Sequence, residues 1–364
     1  MDSNRSYLYN IDPINNDSEY IESLSGYLIR LASIHNISTG NLINKVINPY
    51  IEKRYISNIA SKGGDGFYKS SYCINGKGEL AKDFFNVLEF LSGNTNLQDL
   101  TLWKFKSILS NRGLLREKKA WCPVCLVEMR EENKVYEPLL WKFSLYEICI
   151  KHKIILEDQC WKCNNKLDEL TRESNLGYCS KCKKWLGHKS IETNDIEEYQ
   201  EKISQLVSDL LKWGMQFDVI PYKKEDISDC LNTLVAKYFF SNINKAANYF
   251  GVSKSTFYGW YSGKNIPTLK GVFNICIKLN ISLDQFFQID KEPKLSVESV
   301  ELVKKDKVIK RNYDHEKIKE YLDDIILNNV TISISAISRQ IGCDRRLLSL
   351  AFPSEIQKVK SIYL

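Results

Sequence analysis

What this chain of 364 residues lacks narrows its function before any motif is read. It has no apolar run approaching the length of a bilayer span, so no membrane helix is expected. The first twenty residues are polar and contain Pro13, and they predict no secretory or mitochondrial leader. The turns Gly63-Gly64-Asp65-Gly66 and Gly76-Lys77-Gly78 lack the G-x-x-x-x-G-K-S/T order that cradles phosphates. There is no nucleophile elbow and no metal-ligand set with a vacancy, so enzymatic chemistry finds no foothold. A large excess of one charge is also missing. The net charge is +6, mildly basic, which agrees with a nucleic-acid partner without requiring one. The hydrophobic share is 43% and the charged share 26%, ordinary for globular protein, so two to four cored domains fit the length.

Cysteine, by contrast, is plentiful, with eleven in all. Cys73, Cys230, Cys276 and Cys343 are scattered and read as small hydrophobes in a reducing cytoplasm. The other seven, with one histidine, form four pairs of two-residue spacing between Trp121 and Trp185. They are C-P-V-C at 122–125, C-I-K-H at 149–152, C-W-K-C at 160–163 and C-S-K-C at 179–182. A two-residue gap lets a tight turn aim both ligands at one ion, and four ligands close a tetrahedral zinc site. Two zinc ions are therefore expected. Cys122, Cys125, Cys149 and His152 are assigned to the first, and Cys160, Cys163, Cys179 and Cys182 to the second. An interleaved pairing would use the same eight ligands. His188 is a spare ligand candidate or a surface histidine. Because every ligand is a protein side chain, both sites read as structural rather than catalytic.

Periodicity predicts a mainly α, multidomain protein. A helix is expected over Glu19 to Ser33, where Ile21, Leu24, Leu28, Leu31 and Ala32 share a face. A second is expected over Ser38 to Tyr50, stopped near Pro49. Further helices are expected over Asp83 to Leu91 and Leu97 to Ser110. Lys104, Lys106, Arg112, Arg116, Lys118 and Lys119 approach the first metal pair, either as a solvated face or as phosphate contacts. Trp141 and Tyr146 are expected to pack over the first knuckle. Ile196 to Trp213 reads as a connecting helix, ended by Ile220-Pro221. From Ile227 the pattern is helical again: Cys230 to Phe240, Ile243 to Phe250, a helix capped by Ser253, and Leu269 to Leu279. Gly263 closes the capped helix. This is a helix-turn-helix pattern. After a charged connector over 291–312, Glu316 to Leu327, Ile334 to Ile341 and Asp344 to Leu350 repeat it, closed by Phe352-Pro353. Arg345 and Arg346 stand at the start of that second reading helix, placed for bidentate guanine contacts.

The order E-S-L-S-G-Y-L-I-R-L-A, C-P-V-C, Trp141, C-I-K-H and two further CxxC pairs resembles the TniQ family, which includes TnsD, the target selector of Tn7-like transposons. The likeness covers roughly 19–190. Glu22, Ser23, Tyr27, Arg30 and Leu31 fall on the family's opening signature. Ile150 and Trp161 depart from it, each standing where the family often has proline. The block from Asn242 to Phe287 is similar to phage-repressor helix-turn-helix domains. That likeness implies that Lys254 and Ser255 face base edges, with Thr256, Tyr258 and Lys264 nearer the backbone. Gly259 leaves a gap where a base-reading side chain could stand, which weakens sequence readout. The last block resembles helix-turn-helix repeats at the C-terminus of TnsD-like members.

These resemblances imply six segments. They are a helical TniQ region (1–120), a double zinc module (121–190), a connecting helix (191–225), a helix-turn-helix domain (226–290), a charged linker (291–312) and a second helix-turn-helix domain (313–364). They imply a non-catalytic target selector, at work on double-stranded DNA in the bacterial cytoplasm and nucleoid, that recruits a TnsC-like AAA+ ATPase. The alternative is an adaptor seated on a CRISPR effector with its guide RNA. Tyr20, Glu22, Tyr27 and Arg30 are candidates for the partner surface, or simply for the core.

Overall fold

A computed structural model describes residues 6–51, 66–189, 196–290, 314–341 and 345–363. The Gly63-Gly64-Asp65 turn, the connector over 291–312, Gly342, Cys343 and the Arg346 side chain lie outside the described residues. The chain divides into two compact units, Met1–Val297 and Glu298–Leu364. No described helix is long and apolar enough to cross a membrane.

The first helix runs Leu24–Ile34, starting later than its periodicity suggests. Ser23 ends the non-helical lead-in, because its side chain accepts from the Gly26 N–H and caps the helix. Glu19 to Glu22 are therefore not helical, and Glu22 instead pairs across to Pro138 as an isolated antiparallel bridge. Leu24, Tyr27, Leu28 and Leu31 are fully buried, so the helix sits deep in the fold. Thr39 to Tyr50 is helical throughout, but it widens to a π-turn over Leu42–Ile47 and tightens to a 3-10 turn at Asn48–Tyr50, beside Pro49. The helix Glu79–Ser92 extends beyond its expected ends and stops at Gly93, whose left-handed φ of 69° glycine adopts with no Cβ penalty.

Leu97 to Ser110 is a correction. It forms two short 3-10 turns, Leu97–Leu100 and Trp103–Phe105, rather than one helix. Thr101 breaks it: its hydroxyl donates to the Gln98 carbonyl at 2.7 Å and accepts from the Trp103 N–H at 3.1 Å.

The cysteine-rich region carries the helix Pro123–Glu131 and a two-stranded antiparallel ribbon, Ile148–Cys149 with Ile154–Ile155. The helix Glu198–Met215 then joins this region to the repressor-like block. At one end its Ser204 hydroxyl accepts the Glu147 and Ile148 N–H groups at 3.2 and 3.1 Å, next to the first cysteine site. Towards its other end Gly214 packs directly on the Phe105 ring, too close for any side chain. Trp213 stacks on Phe287 with ring centres 5.2 Å apart, and Tyr222 stacks on the same ring at 4.3 Å.

The helix-turn-helix block consists of Lys224–Phe239, Ile243–Tyr249, Lys254–Tyr261, Leu269–Leu279 and a short closing helix, Leu283–Phe287. Phe250, Phe257, Phe273 and Phe286 fill its centre. The second unit packs His315–Leu327, Ile334–Ile341, Arg345–Ala351 and Pro353–Tyr363 around Leu322, Ile337, Leu348 and Val359. The third helix ends at Ala351, before Phe352-Pro353 as expected, but Pro353 also opens a further helix that the periodicity did not suggest. It is the first residue of that fourth helix, a position where its missing N–H loses no bond.

Candidate metal centres and nucleic-acid interface

The pairs expected to share ions do converge in two groups. Cys122, Cys125, Cys149 and His152 bring their ligand atoms within 4.8 Å of one another, and so do Cys160, Cys163, Cys179 and Cys182. In the first group the Cys125 and Cys149 sulfurs lie 3.7 Å apart, and His152 Nδ1 lies 3.3–3.5 Å from the three sulfurs. In the second, Cys160 faces Cys182 at 3.6 Å and Cys163 faces Cys179 at 3.7 Å. A tetrahedron with Zn–S arms of about 2.3 Å has S···S edges of about 3.8 Å. Both groups therefore have the size and donor chemistry of a zinc cage, and they could hold two metal ions.

Local backbone explains why. Three of the four pairs form one and the same turn. The residue after the second ligand returns its N–H to the carbonyl of the first: Lys153 to Cys149 at 2.7 Å, Asn164 to Cys160 at 2.8 Å and Lys183 to Cys179 at 2.9 Å. Each of these residues has a positive φ, between 51° and 59°. The fourth pair uses a helix start instead: Cys122 caps Pro123–Glu131, and its sulfur accepts the Cys125 N–H at 3.3 Å. Backbone donors to sulfur stabilise the thiolate form that binds metal. His152 turns its other nitrogen towards Glu128, with Nε2 3.0 Å from Oε1, as an orienting carboxylate does at a metal-bound histidine. His188 is not drawn into either group, and its Nε2 lies 2.7 Å from Glu157 Oε1. Tyr146 does pack at the first centre, where its hydroxyl accepts the Ile150 N–H at 3.2 Å.

The E-S-L-S-G-Y-L-I-R signature turns inward. Glu22 is fully buried and paired with Arg30 at 2.6 Å. Burial raises the Glu22 carboxyl above its usual range, although Arg30 pulls the other way. Ser25 donates to Glu169, and Asn75 donates to Glu169 at 3.3 Å and to the Ser25 hydroxyl at 3.0 Å. Lys142 bridges Glu169 at 2.5 Å and Glu137 at 2.6 Å, and Lys119 completes the chain to Glu137 at 2.5 Å. Burial opposes charge on Glu137, but Lys119 and Lys142 outweigh it and hold its carboxyl at about 2. Lys142 is correspondingly raised by Glu137 and Glu169 against the pull of burial. A buried ionic chain of this kind was not legible in the sequence, where its members stand far apart.

This placement corrects two expectations. Glu22 and Tyr27 are interior, and only Tyr20 and Arg30 of the four partner candidates reach solvent, both in part. The basic approach to the first pair is also largely consumed by the fold. Lys119 is buried on Glu137, Lys118 pairs with Asp168, Lys104 pairs with Asp99, and Arg116 donates to the carbonyls of Phe143 and Tyr146. Lys106 and Arg112 remain exposed.

In the helix-turn-helix block, Ser253 caps Lys254–Tyr261 by accepting the Thr256 N–H at 3.2 Å. Lys254, Ser255, Thr256, Tyr258 and Lys264 are all exposed, while Phe257, Gly259 and Trp260 are buried. Gly259 thus leaves no gap in the outer face. A Cβ there would meet the Asn265 side chain at 2.8 Å, and the Gly259 carbonyl accepts the Asn265 N–H at 2.9 Å. The position therefore lies beneath the exposed Asn265 side chain rather than open on the outer face. In the second unit Arg345 is exposed and donates to the Ser335 hydroxyl at 3.1 Å.

Residues 13–156 match the family model for TniQ. The match supports a TniQ assignment for this N-terminal part, which is less than half of the chain. The TniQ match takes in the inward-turned signature, the buried ionic chain as far as Lys142 and the whole first metal group, and it ends before Cys160. Residues 229–294 match the bacteriophage CI repressor helix-turn-helix domain, which spans the exposed face just described. Together the two matches point to a DNA-binding protein of Tn7-like transposition. No curated protein matches the chain.

Proposed function

We propose that this TniQ protein selects the target site for a Tn7-like transposon by binding double-stranded DNA and recruiting the AAA+ ATPase that engages the transposase. The observation that carries this reading is the helix Glu198–Met215. It ties a TniQ body to a repressor-type reading helix within one compact unit, so a DNA-bound helix would hold the body in a set place. Lys254 and Lys264 would neutralise phosphates, and Ser255 would meet base edges, with Thr256 and Tyr258 against the backbone. Residues 313–364 would act as a second helix-turn-helix domain, with Arg345 and Arg346 reading guanines.

Two zinc ions, held by Cys122, Cys125, Cys149 and His152 and by Cys160, Cys163, Cys179 and Cys182, would stiffen the body. Each would be enclosed by four side chains, which suits a structural role rather than catalysis. The alternative is an adaptor seated on a guide-RNA effector.

Fluorescence anisotropy on duplexes from the element's insertion sites, against scrambled duplexes, tests the proposal. A preference for insertion-site DNA is expected, and Lys254→Ala should weaken binding and lower the salt slope by about 1. Equal binding to all duplexes, with site preference appearing only after an effector and guide RNA are added, would transfer the role to the adaptor reading.

A further inference from the structure

A groove of about 540 Å³ opens between the first helix and the second metal group. It is lined by aliphatic side chains, among them Ile34 and Leu176, and by the Tyr178 and Trp185 rings, which form an aromatic wall. Arg30, Arg130 and Lys183 stand around it, and among the described residues no carboxylate lines it. Two of these cations are already answered from outside the groove, Arg30 by buried Glu22 and Lys183 by exposed Glu173 at 3.3 Å. Arg130 forms no ion pair among the described residues. Its guanidinium lies over the Trp185 ring, 5.0 Å from the ring centre.

The wall is held rigid. Trp185 is clamped between two glycines, since a Cβ on Gly177 would fall 2.3 Å from its ring and a Cβ on Gly187 2.5 Å from its Nε1. The Trp161 side chain donates to the Trp185 carbonyl at 2.9 Å, and Tyr178 meets the ring edge-on at 5.1 Å. These residues all flank ligands of the second metal group, so that group fixes the wall. A fixed aromatic wall loses little entropy when a ligand packs on it.

We infer that this groove receives an acidic peptide segment of a protein partner, anchored by an apolar side chain. Arg130, with no ion pair among the described residues, calls for a carboxylate, Arg30 and Lys183 add positive field beside it, and the aliphatic lining calls for a hydrophobic side chain rather than a sugar-phosphate strand. The inference deepens the recruiting role proposed above. Its test contains no DNA duplex, so either reading can fail alone.

The probe is a short fluorescein-labelled peptide alternating aspartate with phenylalanine, titrated with the full chain and read by anisotropy. Controls are the same peptide with lysine for aspartate, the same peptide with serine for phenylalanine, and a thymidine oligonucleotide of equal length. Saturable binding of the first peptide alone is expected. Arg130→Glu and Ile34→Asp should each weaken it by about tenfold or more. Both sites are exposed, and unchanged zinc content and melting temperature check that the variants fold. Lys254→Ala should leave peptide binding unchanged. The inference is overturned if the acidic peptide does not bind or binds no better than its controls. It is overturned equally if Arg130→Glu and Ile34→Asp fold and bind as tightly as the parent, or if the oligonucleotide binds and Arg130→Glu abolishes that binding.

Discussion

Replacing Lys142 by methionine tests the ionic chain inside the TniQ body. The lysine side chain is 4% exposed and lies within 2.6 Å of both Glu137 and Glu169. Methionine keeps most of its volume and removes its charge. Glu137 then keeps Lys119, and among the described residues Glu169 keeps its bonds to Ser25 and Asn75. A buried charge stripped of its partner typically costs about 3–5 kcal/mol. Because one lysine serves two carboxylates, a loss near the upper end is expected, a large part of a typical stability of about 5–15 kcal/mol.

The sign of the pH dependence follows from Glu137. Its carboxyl is held at about 2, below its ordinary value of 4.5, so its pairing stabilises the fold above that ordinary value. The contribution fades as pH falls from there through about 2. In the variant the carboxyl loses one of its two cations and takes up a proton at higher pH. The deficit should therefore be largest near neutrality and shrink towards acid. Urea unfolding at constant free zinc, repeated at neutral pH and near pH ~5, measures both features. Adding Glu169→Gln to the variant should recover part of the loss, because the amide oxygen still accepts from Ser25 and Asn75 without a charge. A loss under about 1 kcal/mol at neutral pH would refute the reasoning, as would a deficit that does not change with pH.

Other outcomes follow from the metal groups. Elemental analysis should find two zinc ions per chain, and chelation should lower the melting temperature; Cys149→Ser should leave a single ion in place. Glu128→Gln should weaken zinc at the first centre by about 10–100-fold, read by competition with a chromophoric chelator, since it orients His152 without touching the ion. Gly177→Ala should destabilise by about 2 kcal/mol or more in the same urea assay. Gly177 has φ of 73°, and any Cβ on it collides with the Trp185 ring.

Much was readable from the linear chain because the relevant signals are short-range. A two-residue gap between metal ligands is a local turn, and three of the four pairs close that turn with one hydrogen bond over four residues. Ser253 and Gly263 bracket the helix Lys254–Tyr261 at its own two ends. Leu97 to Ser110 misled because apolar spacing is silent about a threonine hydroxyl that competes for the backbone.

The sequence by itself determined which eight side chains could hold metal, the helical class and the outward-facing residues of Lys254–Tyr261, all properties of neighbours along the chain. Only the tertiary structure decided which charges are spent. Lys119, Glu137, Lys142 and Glu169 look like surface residues one at a time. They meet in the interior because segments up to 144 residues apart converge, and a buried ion is stable only where such a partner arrives. The same convergence set Arg130 on Trp185 beside an open groove. Burial and pairing depend on what packs against a residue, and no local pattern carries that information.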